Sequence, residues 1–208
     1  MRNVDWYFDF ISPYSYLCLH RFAELPADVR VRPVPVLFAG LLKHFGQKGP
    51  AEVPAKRRWT YRWCTWWARE LGIPFRFPAQ HPFNSLHHLR LCIAAGATDE
   101  AIRTIFHDVW TSGADAADPG RFRALASRLS VPEESLSSPS VKETLMKNAG
   151  LAISAGVFGV PSFVAEGEVF WGADSIDFLN AFIADRAVLD NAEMRRVDAL
   201  PIGAARKD

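Results

Sequence analysis

The sequence predicts an α/β fold in which a sheet is interrupted by a block of helices. Three observations support this: an opening β-α-β pattern, a middle region with helical periodicity, and a closing β-β-α pattern. A single sheet with an inserted all-helical domain is the economical architecture. We place the sheet domain at residues 1–37 and 156–188, the helical insertion at 38–155, and a C-terminal tail at 189–208.

The opening segment has the features of a strand, a helix and a second strand. Val4–Phe10 is rich in aromatic residues and predicts a largely buried strand. Ser12 followed by Pro13 is typical of a helix N-cap and first turn, so a helix is expected from Pro13 through Phe22. Val29–Val36 alternates with period two, and its two prolines place it at a sheet edge. This order implies a parallel pair with a right-handed crossover.

The middle of the chain is expected to be helical. Four tryptophans and a leucine follow the spacing of an apolar helical stripe: Trp59, Trp63, Trp66, Trp67 and Leu71. We expect most of them in the core of the insertion, the alternative being an aromatic pocket between the domains. Further helices are predicted at Leu86–Ala95, along a stripe from Ala101 to Trp110, from the Asp118–Pro119 cap, and at Lys142–Ala155.

Strand patterns return near the end of the chain. Pro161–Val164 and Val169–Trp171 are short apolar runs around a glycine and predict a hairpin. Asp174 is predicted to cap a helix whose apolar stripe runs from Phe178 to Ile183. Residues after about Leu189 lack clear periodicity and are expected to form a surface tail.

The composition excludes several classes of function. Of 208 residues, 24 are basic and 23 acidic, so the net charge of +1 gives no reason to expect nucleic acid or an anionic membrane as a partner. The three cysteines form no C-x-x-C pair, which fits a reducing compartment. With no leader-like N-terminus and no unbroken apolar run, we expect a soluble cytoplasmic protein. The six histidines show no metal-ligand spacing, so no metal is expected.

Three short segments are candidates for chemistry, each with a plain structural alternative. Ser12 at a helix N-terminus could stabilise an anion such as a thiolate, or it could only cap the helix. The Val160–Pro161 bond could be cis beside an edge that pairs with a peptide, or it could be an ordinary trans bond. Asp174 could bind an ammonium group, or only cap its helix.

Together these segments resemble the 2-hydroxychromene-2-carboxylate isomerases, which are grouped with kappa-class glutathione transferases and DsbA-type oxidoreductases. The resemblance spans residues 4–186 and rests on Phe10–Leu17 (F-I-S-P-Y-S-Y-L), Phe158–Phe163 (F-G-V-P-S-F) and Phe170–Asp174 (F-W-G-A-D), in that order around a helical block. It implies a thioredoxin-like fold with an inserted helical domain, glutathione as cofactor, and a homodimer.

The resemblance also implies roles for individual residues. Ser12 would be the catalytic residue, donating a hydrogen bond to the glutathione sulfur. Val160 would pair through its main chain with the cysteinyl part, beside a cis Pro161, and the loop ending at Asp174 would hold the γ-glutamyl end. The glutathione-binding residues so implied are Ser12, Val160, Pro161, Trp171, Gly172, Ala173 and Asp174.

Candidates for substrate contact also come from the resemblance: Lys43, Gln47, Arg57, His81 and Asn84. Their structural alternatives are solvated charges for the lysine and arginine and a helix cap for Asn84. Kappa transferases have an asparagine near Gln47, so the chain departs from their pattern there.

The implied activity is glutathione-dependent isomerisation of a 2-hydroxychromene-2-carboxylate-type aromatic acid to a trans-o-hydroxybenzylidenepyruvate-type product, within aromatic hydrocarbon degradation. Two alternatives stay open: a kappa-like transferase acting on electrophiles, and a non-catalytic thioredoxin-like binding module. A disulfide oxidoreductase is disfavoured, because the turn reads Ser12-Pro13-Tyr14-Ser15 and has no cysteine.

Overall fold

The computed structural model describes residues 1–204, and its elements follow the predicted order. The strands are β1 (Arg2–Phe8), β2 (Val29–Pro35), β3 (Ser162–Ala165) and β4 (Glu168–Trp171). The longer helices are α1 (Pro13–His20), α2 (Phe38–His44), α3 (Pro54–Glu70), α4 (Leu86–Ala94), α5 (Asp99–Thr111), α6 (Pro119–Arg128), α7 (Pro139–Ser154), α8 (Ile176–Ala184) and α9 (Ala192–Asp198). Between β2 and β3 the described chain is helix and loop, which confirms the helical insertion.

The strands form one mixed sheet in the order β2-β1-β3-β4. β1 pairs in parallel with β2 and antiparallel with β3, and β3 pairs antiparallel with β4. The parallel β-α-β unit and the closing hairpin are therefore as predicted. β2 lies at the edge because Pro33 and Pro35 have no N–H to donate to a further strand.

Alternation along β1 sends its large aromatic residues into the core. Trp6 and Phe8 are fully buried and stack on each other, with ring centroids 4.2 Å apart. Phe106 of α5 contacts both rings from the insertion, at 6.2 and 5.7 Å. The sheet and the insertion thus share one hydrophobic core, in which each such ring contributes about 2–3 kcal/mol by burial.

Two helices of the insertion match their sequence patterns closely. The predicted stripe of α5 is buried throughout: Ala101, Ile102, Ile105, Phe106, Val109 and Trp110. Asp118 caps α6 by accepting a hydrogen bond from the Arg121 amide at 2.7 Å.

The prediction for α3 was wrong about which face is buried. Trp59 and Trp66 are 64% and 44% exposed, and Leu71 is exposed as well. The buried residues of α3 are Thr60, Cys64 and Ala68, which are small. α3 packs against α1, and small side chains let the two helices approach closely, so the indoles are placed at the rim or in solvent.

The boundaries near the C-terminus also differ from the prediction. Asp174 does not cap α8: Ser175 precedes the helix, and the exposed Asp174 side chain bends back over Gly172 instead. The tail contains the exposed helix α9, which Asn191 caps by accepting from two amides. The tail prediction therefore missed a helix, and residues 205–208 of that tail lie outside the described chain.

Smaller shifts occur at other element ends. β1 ends at Phe8 rather than Phe10, α1 ends at His20 before a short 3₁₀ turn, and α7 begins three residues earlier than expected. No helix within residues 1–204 has the length and apolarity to cross a membrane.

Candidate active site

Ser12 lies where the chain leaves β1 and enters α1, as the sequence predicted. Its hydroxyl oxygen accepts a hydrogen bond from the Ser15 amide at 3.1 Å, so it is the N-cap of α1. The side chain is nearly buried, at 6% exposure. Because the helix N-terminus presents unpaired amides and partial positive charge, this position favours an anionic ligand.

Val160 and Pro161 lie directly beside Ser12, although they are far away in sequence. The Val160–Pro161 peptide bond is cis, as the resemblance implied. The Val160 carbonyl oxygen lies 3.5 Å from the Ser12 hydroxyl, at the long limit for a hydrogen bond. The hydroxyl proton is therefore only weakly engaged by the protein, and a better acceptor placed here would take it.

A backbone hydrogen bond joins the segment Phe170–Asp174 to the segment Phe158–Phe163. The Gly172 amide donates to the Pro161 carbonyl at 2.9 Å. Trp171 is 57% exposed, and its indole covers Gly159 so closely that a Cβ there would lie 2.6 Å from the indole nitrogen. Arg21 fixes the loop by donating to the Ala173 carbonyl at 2.7 Å. The three segments thus line one side of the α1 N-terminus.

Tyr14, in the first turn of α1, contacts Thr60 and Cys64 of helix α3, so α3 lies next to the N-terminus of α1. Burial raises the pKa of Tyr14 to about 12, and the nearby Cys64 and Asp174 groups add to that increase. Asp174 is exposed, and because its charge acts on Tyr14 it lies on the Tyr14 side of the site.

The protein's own thiols are poor candidates for a nucleophile. Cys18, Cys64 and Cys92 are all free and buried. Burial raises the pKa of each thiol, that of Cys64 to about 12, so all three are protonated at neutral pH. Sulfur chemistry at this site therefore needs a thiol that comes from outside. Within the described chain no group of acidic, histidine and cysteine side chains is arranged to hold a metal ion.

The predicted substrate residues lie on α2 and α3 and in the loops that follow α2 and precede α4. Lys43 is in the last turn of α2 and Gln47 follows that helix; both are exposed. Arg57 is exposed near the start of α3, where its charge lowers the pKa of Tyr61, which burial otherwise raises. Asn84 accepts from the Leu86 amide at 3.0 Å and so helps to start α4. Substrate contact by these residues stays a prediction.

His81, the fifth predicted substrate residue, directs both ring nitrogens at the protein itself. Nε2 lies 2.8 Å from the Ile11 carbonyl oxygen, and Nδ1 lies 2.7 Å from the Tyr61 hydroxyl. The ring therefore has no nitrogen left over for substrate, and it bonds to the residue that directly precedes Ser12.

Asp9 is a site residue that the sequence analysis missed. It is fully buried three positions before Ser12, and its two carboxylate oxygens accept from the Ile11 and Phe38 amides at 3.2 and 2.8 Å. Burial raises its pKa to about 6, with the Ser85 side chain and those amides opposing the increase. An acidic residue between Phe8 and Phe10 in an apolar strand was the available signal.

We expect Asp9→Asn to change how stability depends on pH. The carboxyl binds its proton more tightly in the folded chain than in the unfolded one, so its contribution to stability falls as pH rises from about 4 to about 6. Asparagine does not titrate. The unfolding free energy of the variant relative to wild type should therefore rise with pH, by up to about 3 kcal/mol. Urea unfolding of both proteins at pH 4 to 7 measures this, and a flat or falling difference would contradict it.

Comparison with known proteins agrees with the fold. Residues 3–184 match the model of the DSBA-like thioredoxin domain, so the fold and site define a thioredoxin-type protein. A solved structure of a 2-hydroxychromene-2-carboxylate isomerase superposes with a TM-score of 0.74 at 25% identity, covering 92% of this chain and 98% of that one.

Two sequence relatives narrow the class. The 2-hydroxychromene-2-carboxylate isomerase of Pseudomonas putida is 32% identical over 203 residues, which are 92% of this chain and 98% of the relative. Human glutathione S-transferase kappa 1 is 24% identical over 209 residues, covering 89% and 92%. The chain belongs to the 2-hydroxychromene-2-carboxylate isomerase family of DsbA-like thioredoxin-domain proteins.

Proposed function

We propose that the protein is a glutathione-dependent isomerase that converts 2-hydroxychromene-2-carboxylate-type aromatic acids to trans-o-hydroxybenzylidenepyruvate-type products. The observation that carries the proposal is the Ser12 hydroxyl, which is held by the Ser15 amide while its proton has only a distant acceptor in the Val160 carbonyl. A thiolate is a stronger acceptor than that carbonyl, so the hydroxyl is prepared to bind one.

The residues around Ser12 fit glutathione in character. The Val160 main chain, next to the cis bond, offers a peptide partner for the cysteinyl part. The exposed Trp171 and Asp174 offer an apolar face and a carboxylate for the γ-glutamyl end, whose amine is cationic. The chain's own thiols are buried and protonated, so the thiol for chemistry at Ser12 has to come from a bound molecule such as glutathione.

Bound glutathione would supply a thiolate nucleophile. Once the C2 hemiketal ring of the substrate has opened, reversible addition of a thiolate to the side-chain double bond would permit rotation about that bond, and elimination would restore the double bond and the free thiol. Ser12 holds the sulfur by hydrogen bonding and, with the α1 N-terminus, lowers the thiol pKa. Lys43 or Arg57 would pair with the substrate carboxylate and fix its orientation, with Gln47 and Asn84 as neutral contacts.

The amount of free glutathione before and after the reaction tests this function. We expect substrate to be converted with no loss of free thiol, because an isomerase returns its cofactor. The measurement follows the ultraviolet spectrum of the acid and titrates thiol before and after complete conversion. No conversion above the rate with glutathione alone would overturn the proposal.

The kappa-class relatives favour one alternative, a transferase acting on electrophiles. It would use the same Ser12 site but consume one thiol for each product. Tight glutathione binding with no turnover would instead support a non-catalytic binding module.

We also place the protein in the cytoplasm as a homodimer. Reduced glutathione and three free cysteines fit a reducing compartment. The dimer is a prediction from the family resemblance, and light scattering of the purified chain tests it.

A further inference from the structure

Side chains of the insertion hold the two backbone carbonyls that precede Ser12. The indole nitrogen of Trp110 donates to the Phe10 carbonyl at 2.9 Å. His81 Nε2 lies 2.8 Å from the Ile11 carbonyl, the next one along the chain. The position of Ser12 thus depends on side chains about 70 to 100 residues away.

The contact with Ile11 requires one tautomer of His81. A carbonyl oxygen only accepts, so Nε2 must carry the ring proton. In the neutral ring Nδ1 is then an acceptor, and the Tyr61 hydroxyl lies 2.7 Å from it and 2.6 Å from the His81 carbonyl. The hydroxyl has one proton for these two acceptors. Because Nδ1 of an Nε2–H ring has only a lone pair, the 2.7 Å contact requires that proton to be directed at Nδ1, which reinforces the Nε2–H tautomer in the same way that partners orient ligand histidines.

The surroundings favour the neutral ring. Burial lowers the pKa of His81, although the Ile11 hydrogen bond opposes this. The aromatic side chains packed on the ring are Tyr61 from α3, Phe77 and Phe83 from its own loop, and Trp110 from α5. Tyr61 is the titratable member of that set, and the charge that faces it is Arg57.

We propose that His81 and Tyr61 are a positioning pair: Tyr61 fixes the His81 tautomer, and His81 holds the Ile11 carbonyl so that the Ser12 hydroxyl points at the bound sulfur. The catalytic consequence rests on the proposed function. The pair does not touch the reacting atoms, so its effect should fall on kcat rather than on glutathione affinity.

Tyr61→Phe provides the most specific test. Without the hydroxyl the neutral ring can move its proton to Nδ1, and an unprotonated Nε2 then faces the Ile11 carbonyl. We expect kcat to fall several-fold at pH 8, about the value of one hydrogen bond. Below the His81 pKa both nitrogens carry protons, so the ratio of variant to wild-type kcat should recover as pH falls. A higher pKa of the bound thiol in the variant would instead make this ratio fall as pH falls, so the direction of the change distinguishes the two effects.

Substitution of His81 separates hydrogen bonding from packing. His81→Leu should lower kcat on the order of tenfold with little change in glutathione Kd. His81→Gln, whose amide can donate at the same place, should recover much of that loss and show no pH-dependent ratio. His87→Leu is the control, because His87 is exposed on α4 of the same insertion.

Nitrogen-15 NMR reads the tautomer without any assay of activity. We expect the His81 signals of an Nε2–H ring, assigned by their absence in His81→Gln. An Nδ1–H ring would overturn the inference whatever the protein catalyses, as would a folded His81→Leu with wild-type kcat. If the wild-type protein shows no isomerase activity, the proposed function fails, but the positioning role can still be tested. The measurement is then the pKa of the bound glutathione thiol, followed by the ultraviolet absorbance of the thiolate. A thiol pKa that is the same in His81→Leu as in wild type would overturn the positioning role.

Discussion

Ser12→Ala is expected to lower kcat by on the order of 100-fold or more, the effect of removing one donor from a developing or bound anion. Glutathione Kd should change by less than about fivefold, because one hydrogen bond contributes about 1 kcal/mol net. The other proposed contacts with glutathione, at Val160 and the loop from Trp171 to Asp174, would be unaltered. Steady-state kinetics and calorimetric titration of glutathione measure the two effects separately.

Ser15→Ala, the same substitution three residues further along the chain, provides a matched control. Ser15 is fully buried, and its hydroxyl has no hydrogen-bond partner among residues 1–204. Ser15→Ala should therefore leave kcat within about twofold of wild type and cost little stability. Ser12→Ala also loses the N-cap contact, at about 1 kcal/mol, so assays belong well below the melting temperature. Wild-type kcat in Ser12→Ala would remove the hydroxyl from the mechanism.

The sequence was sufficient to locate Ser12 and the cis Pro161, but only Ser12 could be located from its neighbouring residues alone. Ser12 followed by Pro13 is a helix start whatever surrounds it, so its place at the end of β1 follows from neighbouring residues. Pro161 needed the resemblance, because a lone X-Pro bond is usually trans. The α5 stripe was predictable because all of one face of that helix is buried.

The errors arose where distant residues decide the outcome. Periodicity on α3 identified the face with the indoles, but Tyr14 on α1 meets Thr60 and Cys64, which only the packed structure brings together. Asp9 and His81 likewise act through partners from other elements, such as Phe38 and Ile11. A single sequence contains no signal for those pairings.

The largest expected effect on stability is that of Trp110→Leu. Trp110 is fully buried, stacks on Phe75 at a 5.5 Å centroid distance, and supplies the hydrogen bond to the Phe10 carbonyl. The loss of the indole leaves a cavity and an unpaired buried carbonyl. We therefore expect the free energy of unfolding, measured in urea, to fall by about 3–5 kcal/mol. That is a large share of the 5–15 kcal/mol typical of a domain.

Two further variants test the physical origin of this effect. Trp110→Phe keeps an aromatic ring but loses part of the buried volume together with the N–H donor, so it should cost less than Trp110→Leu. Trp59→Leu makes the same change on the exposed face of α3, where the cost should stay under about 1 kcal/mol. Because Trp110 and β1 belong to one core, we expect a single cooperative transition in each protein. If Trp110→Leu instead melted the helical insertion alone and left glutathione binding intact, the sheet would hold Ser12 without the insertion's help, and the hydrogen bond to Phe10 would have no part in placing the catalytic turn.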